Sequence, residues 1–195
     1  MKRWGWWNNC LVGITWDRWR ALLADNPVDP GYRHRAAFLT LLSLRNSLWR
    51  QREERLYRDA IAKATPQAPL FVLGHWRTGT TFLHNLLTCD AEQFAWPNSI
   101  QAIFPSTFLY AEPSIRRRFG KMVPSTRPMD NVAQTADTPQ EDEFALAPLC
   151  LMSPNFGMSN FPRRTEHFDR HRCRVQPGRR EQVVSLLGPS LRVVA

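Results

Sequence analysis

Two glycines, Gly74 and Gly79, stand five positions apart and are followed directly by Thr80 and Thr81. This is the G-x-x-x-x-G spacing of a phosphate-binding loop, with Thr80 at the position where triphosphatases carry lysine. Backbone N–H groups in such a loop, with the open N–H groups and positive end of a following helix, form an anion cradle. His75, Trp76 and Thr78 complete the loop, and a hydroxyl of Thr80 or Thr81 adds a hydrogen bond to a bound phosphate. The positive side chain has moved to Arg77, inside the loop, where a guanidinium acts by charge because it keeps its proton. These residues predict phosphate binding without the machinery of a triphosphatase.

A second group of reactive types is Glu141, Asp142 and Glu143. Clustered carboxylates repel one another, which raises pKa values toward those of a general base, and Glu141 or Glu143 is the candidate to take a proton from a hydroxyl acceptor. The same stretch has a structural reading. Thr138-Pro139-Gln140-Glu141 has the form of a capping box with proline at the first helical position, in which Glu141 bonds back to the cap. His75 and His84 compete for the same role, with His84 the better placed. It follows Thr80 by one helical turn, where it orients the loop, takes the proton itself, or packs.

To hold the loop, Leu70 to Gly74 is predicted as a short buried strand, and the run after Gly79 as a helix with Phe82, Leu83, Leu86 and Leu87 on one face. Phe94-Ala95-Trp96 reads as a second short strand, and a parallel neighbour reached through a helix predicts a doubly wound sheet. Upstream, Thr15 caps a short helix with the stripe Trp16, Trp19, Leu22 and Leu23, ended by Asn26-Pro27 and Asp29-Pro30-Gly31. A long helix follows from about Arg33 to Ala64. Its face of Ala37, Leu41, Leu44 and Leu48 is predicted to be core, and Arg50, Arg52, Glu53, Glu54 and Arg55 a solvated face. Residues 1–14, with Trp4, Trp6 and Trp7, show no period and are expected to pack on the domain in preference to lying on a lipid surface. Residues 100–110 and 113–122 read as two short helices, and Pro148 ends or kinks the helix after the acids.

Composition sets the outer bounds. A chain of 195 residues makes one domain with a sizeable core, and 15 prolines exclude a long coiled coil. The formal charge is +9, concentrated from Arg163 to Arg192, where eight arginines face three acids. No aromatic-interleaved groove accompanies them, so a solvated basic tail is expected and no nucleic-acid partner. Cys10, Cys89, Cys150 and Cys173 are scattered, which predicts neither a disulfide framework nor a metal site. The opening Met-Lys-Arg leads into no apolar signal region and no run reaches transmembrane length, so a cytoplasmic location is expected.

Arg77-Thr78-Gly79-Thr80-Thr81, Arg127-Pro128-Met129-Asp130-Asn131 and Asp137-Thr138-Pro139-Gln140-Glu141-Asp142-Glu143 occur in the order that resembles the bacterial-type branch of the sulfotransferases using 3′-phosphoadenosine 5′-phosphosulfate (PAPS). The resemblance runs from about Phe38 to about Asp169. It implies an α/β fold, a P-loop-like parallel sheet flanked by helices, with residues 1–66 as a helical N-terminal extension, 67–170 as the first part of the sulfotransferase domain and 171–195 as a basic tail. It also implies PAPS as cofactor, held by Gly74 to Thr81, transfer of a sulfuryl group to a hydroxyl or amine acceptor, and Arg77 steadying the leaving group. The family's second half, with a basic-Ser/Asn-Pro strand and an Arg…Ser pair for the 3′-phosphate, has no counterpart here, which predicts a truncated or frame-shifted chain of weakened or absent activity. A nucleotide kinase or triphosphatase and a non-enzymatic anion-binding module are the alternatives.

Overall fold

The computed structural model describes residues 10–63, 70–75, 78–120, 133–151 and 160–170, with the single positions 123, 125, 126, 153 and 157. Seven helices are described: α1 Trp16–Asp25, α2 Arg33–Lys63, α3 Thr80–Leu87, α4 Ser99–Ile103, α5 Phe108–Phe119, α6 Asp142–Cys150 and α7 Thr165–Arg170. Asn26-Pro27 stops α1, and the turn Pro30–Tyr32 starts α2, close to the bounds expected from the prolines. Pro148 lies in the last turn of α6, which ends two residues later with Leu151 in the left-handed conformation.

The core is built on a short segment that carries no sequence period. Leu11, Val12 and Ile14 are buried among Trp19 and Leu22 of α1, Leu39 and Leu42 of α2, Phe104, Ile115 and Phe168. Buried amides hold this segment to α2: Asn46 Nδ2 donates to the carbonyls of Val12 at 2.9 Å and Ile14 at 3.0 Å. Ser47 Oγ accepts from the Trp16 N–H at 2.8 Å, and Trp19 Nε1 donates to Thr40 Oγ1 at 2.9 Å. A side chain at Gly13 would overlap the Ile103 carbonyl, so glycine there lets the segment lie directly on the end of α4. On the far side, Arg164 donates to the Asp25 carbonyl and to Asn26 Oδ1, tying the segment before α7 to the end of α1.

The predicted α/β fold is overturned. Among the described residues there is no strand, only single-residue bridges such as the antiparallel pair Asn98 with Pro139. A parallel strand is stable when neighbours flank both edges and helices cover both faces. The described residues give Leu70 to Gly74 neither: beyond a single bridge position at Leu70 no strand is formed, with Phe71 outward and Leu73 87% exposed. The following helix shares that fate. Phe82 is 73% exposed, and Leu83 and Leu86 are also outward, because among the described residues the face meant for a sheet has no sheet to meet.

The prediction for α2 is also inverted. Its face of Ala37, Leu41, Leu44 and Leu48 points to solvent, while the buried positions are Leu39, Leu42, Ser43, Asn46 and Glu53. Hydrogen bonding decides the orientation, since Asn46 and Ser47 are needed against the Val12 to Trp16 backbone. The capping box expected at Thr138 does not form either. Thr138 Oγ1 instead accepts from the Thr135 N–H at 2.7 Å, and the Gln140 N–H donates to the Pro97 carbonyl at 2.9 Å. This delays α6 to Asp142. A capping box is present at Asn98 and Gln101, where each side chain accepts from the other's backbone N–H at the start of α4.

Candidate functional site

The loop between the two glycines curls tightly. Both the N–H and the hydroxyl of Thr78 donate to the His75 carbonyl, at 3.2 and 2.6 Å. The turn brings Thr78 and Thr80 against Gly74, where an added Cβ would lie 2.5 Å from Thr80 Cγ2 and 2.8 Å from Thr78 Oγ1. A side chain at Gly74 would therefore push Thr78 or Thr80 aside, so glycine suits the position by close approach and not by its backbone angles. Gly79 is the reverse case: open space surrounds its α-carbon, but its φ of 91° lies in the left-handed region. That conformation turns the chain into α3, whose first intrahelical bond is the Leu83 N–H to the Gly79 carbonyl at 2.9 Å.

Glycine at the cap position brings no side chain to the first turn of α3. The N–H groups of Thr80, Thr81 and Phe82 precede the first intrahelical bond, so they are donors at the positive end of the helix, with Thr78 exposed and Thr80 and Thr81 half-buried beside them. Gly74, His75, Thr78, Gly79, Thr80 and Thr81 are thus gathered in one turn. Trp76 and Arg77, as well as the stretch from Arg127 to Asn131, lie outside the described residues.

His84 is the buried residue of α3, at 6% exposed, on the side of the helix opposite the outward Phe82 and Leu86. Its Nε2 has no hydrogen-bond partner among the described residues. Burial pushes its pKa down, so the ring is held neutral. Its burial was not legible in the spacing, which marks only that it shares a face with Thr80.

The acids stand on another element. Glu141 is the extended residue before α6 and is exposed, with no side-chain bond capping the helix. Glu143, half-buried in the first turn, accepts from Ser153 Oγ at 3.0 Å. Ser153 carried no sequence signal, since nothing in its spacing ties it to a residue ten positions earlier. The start of α6 is itself placed by α4: Ser99 Oγ donates to the Thr135 carbonyl at 2.9 Å and accepts from Gln140 Nε2 at 3.1 Å. Beside it, Arg116 grips Asp137 with two bonds, at 3.0 and 2.7 Å, and Glu112 with a third at 2.8 Å. The Arg116 guanidinium holds the Asp137 carboxyl below the usual carboxylate range. Arg116 is thereby committed to fastening the segment that leads to Glu141. Among the described residues no hydrogen bond or ion pair joins the acids to the glycine loop.

A tight glycine turn that feeds open amides into a helix start is a backbone arrangement also found in loops that hold phosphate groups. The chain belongs to the sulfotransferase family, whose model, described as "Sulfotransferase family", matches residues 69–178. It is similar to the omega-hydroxy-beta-dihydromenaquinone-9 sulfotransferases of Mycobacterium bovis and Mycobacterium tuberculosis, at 32% identity over 178 residues in each case. Those matches cover 88% of this chain and 44% of each relative, so the chain spans less than half the length of the curated relatives it matches. No solved structure matches it significantly.

Proposed function

We propose that this chain carries the phosphosulfate-binding part of a PAPS-dependent sulfotransferase acting in the cytoplasm. The single observation that supports the reading most is the glycine turn, where Gly74 makes room for Thr78 and Thr80 and left-handed Gly79 opens the first amides of α3. Open N–H groups at the start of α3, next to the hydroxyls of Thr78, Thr80 and Thr81, suit an oxyanion. PAPS, when bound, supplies the activated sulfuryl group.

The residues divide the work by chemistry. The amides of Thr80 and Thr81, with their hydroxyls, hold the 5′-phosphate, and His75 and Thr78 border it. Arg77, a permanent cation, steadies the charge that develops on the departing oxygen. A carboxylate removes the proton from the acceptor hydroxyl. Among Glu141, Glu143 and His84, Glu141 is exposed and makes no side-chain hydrogen bond among the described residues, whereas Glu143 is bonded by Ser153 and His84 is buried. We assign Glu141 the proton, Glu143 the stiffening of the α6 start, and His84 the positioning of α3.

The test is calorimetric titration of the purified chain with 3′,5′-adenosine bisphosphate and, separately, with ATP and magnesium. Binding of the bisphosphate in preference to ATP is the expected result. Preference for ATP with magnesium, or no binding of either, refutes the reading. The acceptor group expected is a hydroxyl or amine.

A further inference from the structure

We infer that the outward face of α2 docks onto an anionic lipid bilayer. Leu41, Leu44 and Leu48 are 68%, 43% and 59% exposed, and with Ala37 they form one continuous stripe along a helix whose opposite side is fixed in the core by Leu39, Leu42 and Asn46. A row of leucines left in water on a rigid helix is a surface that something apolar covers. No described helix is long and apolar enough to cross a membrane, so the contact is one of lying on a surface.

Charge selects the occupant. Arg33 and Arg55 are each eleven residues, three helical turns, from Leu44, so both fall on the leucine face, one at either end of the stripe. Both are exposed, as are their neighbours His34 and Arg58, and Asp59 is the one acid close to that line. In an antiparallel pair of copies centred on Leu44, Arg33 of each copy would meet Arg55 of the other, and a parallel pair would set each arginine against itself. Like charges therefore oppose self-association through this stripe. An apolar surface bordered by negative groups satisfies leucines and arginines together, and the interface of a bilayer containing acidic headgroups has that chemistry. The overall charge of +9 favours the same partner.

The experiment is cosedimentation of the full chain with vesicles of phosphatidylcholine alone and of phosphatidylcholine with one-third phosphatidylglycerol, at low and high salt. The chain is expected on the acidic vesicles, with binding lost at high salt. Leu41→Gln, Leu44→Gln and Leu48→Gln together lower the partition coefficient at least about tenfold. Arg55→Gln and Arg58→Gln each lower it about fivefold. The leucines point outward, so near-ultraviolet circular dichroism of the triple variant should match the parent. Leu44→Gln alone, expected to weaken binding severalfold, serves if the triple variant fails to fold. Equal binding to neutral vesicles, binding unchanged in the leucine variants, or no binding to acidic vesicles overturns the inference. So does a dimer in sedimentation analysis that the leucine changes dissolve.

Discussion

Glu53→Gln removes a negative charge from the interior while keeping an acceptor for the Tyr110 N–H. Glu53 is 5% exposed, and its Oε2 accepts that N–H at 2.9 Å, so a carboxylate on α2 caps the first turn of α5. Among the described residues no cation pairs with it. Burial raises the Glu53 pKa from 4.5 to about 7, against the opposing pull of the Tyr110 and Leu109 N–H groups. The folded protein therefore holds this proton more tightly than the unfolded chain, and stability falls as pH rises between those two values. Below pH 4.5 the contribution is complete; above about 7 it is lost. At about 1.4 kcal/mol for each tenfold in proton affinity, the total is on the order of 3 kcal/mol. Urea unfolding followed by tryptophan fluorescence at pH 5, 6, 7 and 8 measures it. The parent should weaken from pH 5 to 7 and level off towards pH 8, and Glu53→Gln should lack most of that slope and be the more stable of the two at pH 8. Parallel curves for the two proteins would refute the assignment of a buried, protonated Glu53.

Four further outcomes are expected. Asn46→Ala strands the Val12 and Ile14 carbonyls in the core and should cost roughly 2–4 kcal/mol, read from the same urea curves. Gly13→Ala meets the Ile103 carbonyl and should lose about 3 kcal/mol or fail to accumulate as folded protein. Gly74→Ala, at an exposed site, should leave the urea midpoint nearly unchanged yet weaken 3′,5′-adenosine bisphosphate binding on the order of tenfold in calorimetry, about one hydrogen bond's worth. Arg77→Ala should lower sulfuryl-transfer turnover by about a hundredfold or more, with Arg77→Lys milder, measured by transfer of labelled sulfate from PAPS.

The helix bounds were legible where punctuation is strong. Prolines and glycine at positions 27, 30 and 31 and Thr65-Pro66 bracket α2, which runs Arg33–Lys63 against an expected 33–64. The glycine loop was legible for the same reason, because only particular spacings let a backbone turn that closely. Which face of α2 lies inside was not. Leucine periodicity chose the wrong side, since Asn46 and Ser47 must satisfy the backbone of residues 12–16, and that segment has no period to announce it. The sheet failed on similar grounds. An apolar run such as Leu70 to Gly74 marks a strand only if partners flank it, and one segment cannot reveal its neighbours. The capping box fell on the wrong helix because Thr138 and Asn98 both carry the pattern, and Thr138 was already occupied by Thr135.

The bond from Arg164 to the end of α1 joins positions 138 and more residues apart, and Asn46 and Arg18 reach 34 and 88 residues to their partners. During synthesis the carbonyl of Asp25 and the side chain of Asn26 must wait until most of the chain has been made. Contacts of such separation slow the search for the native arrangement and leave the apolar residues made first uncovered in the meantime.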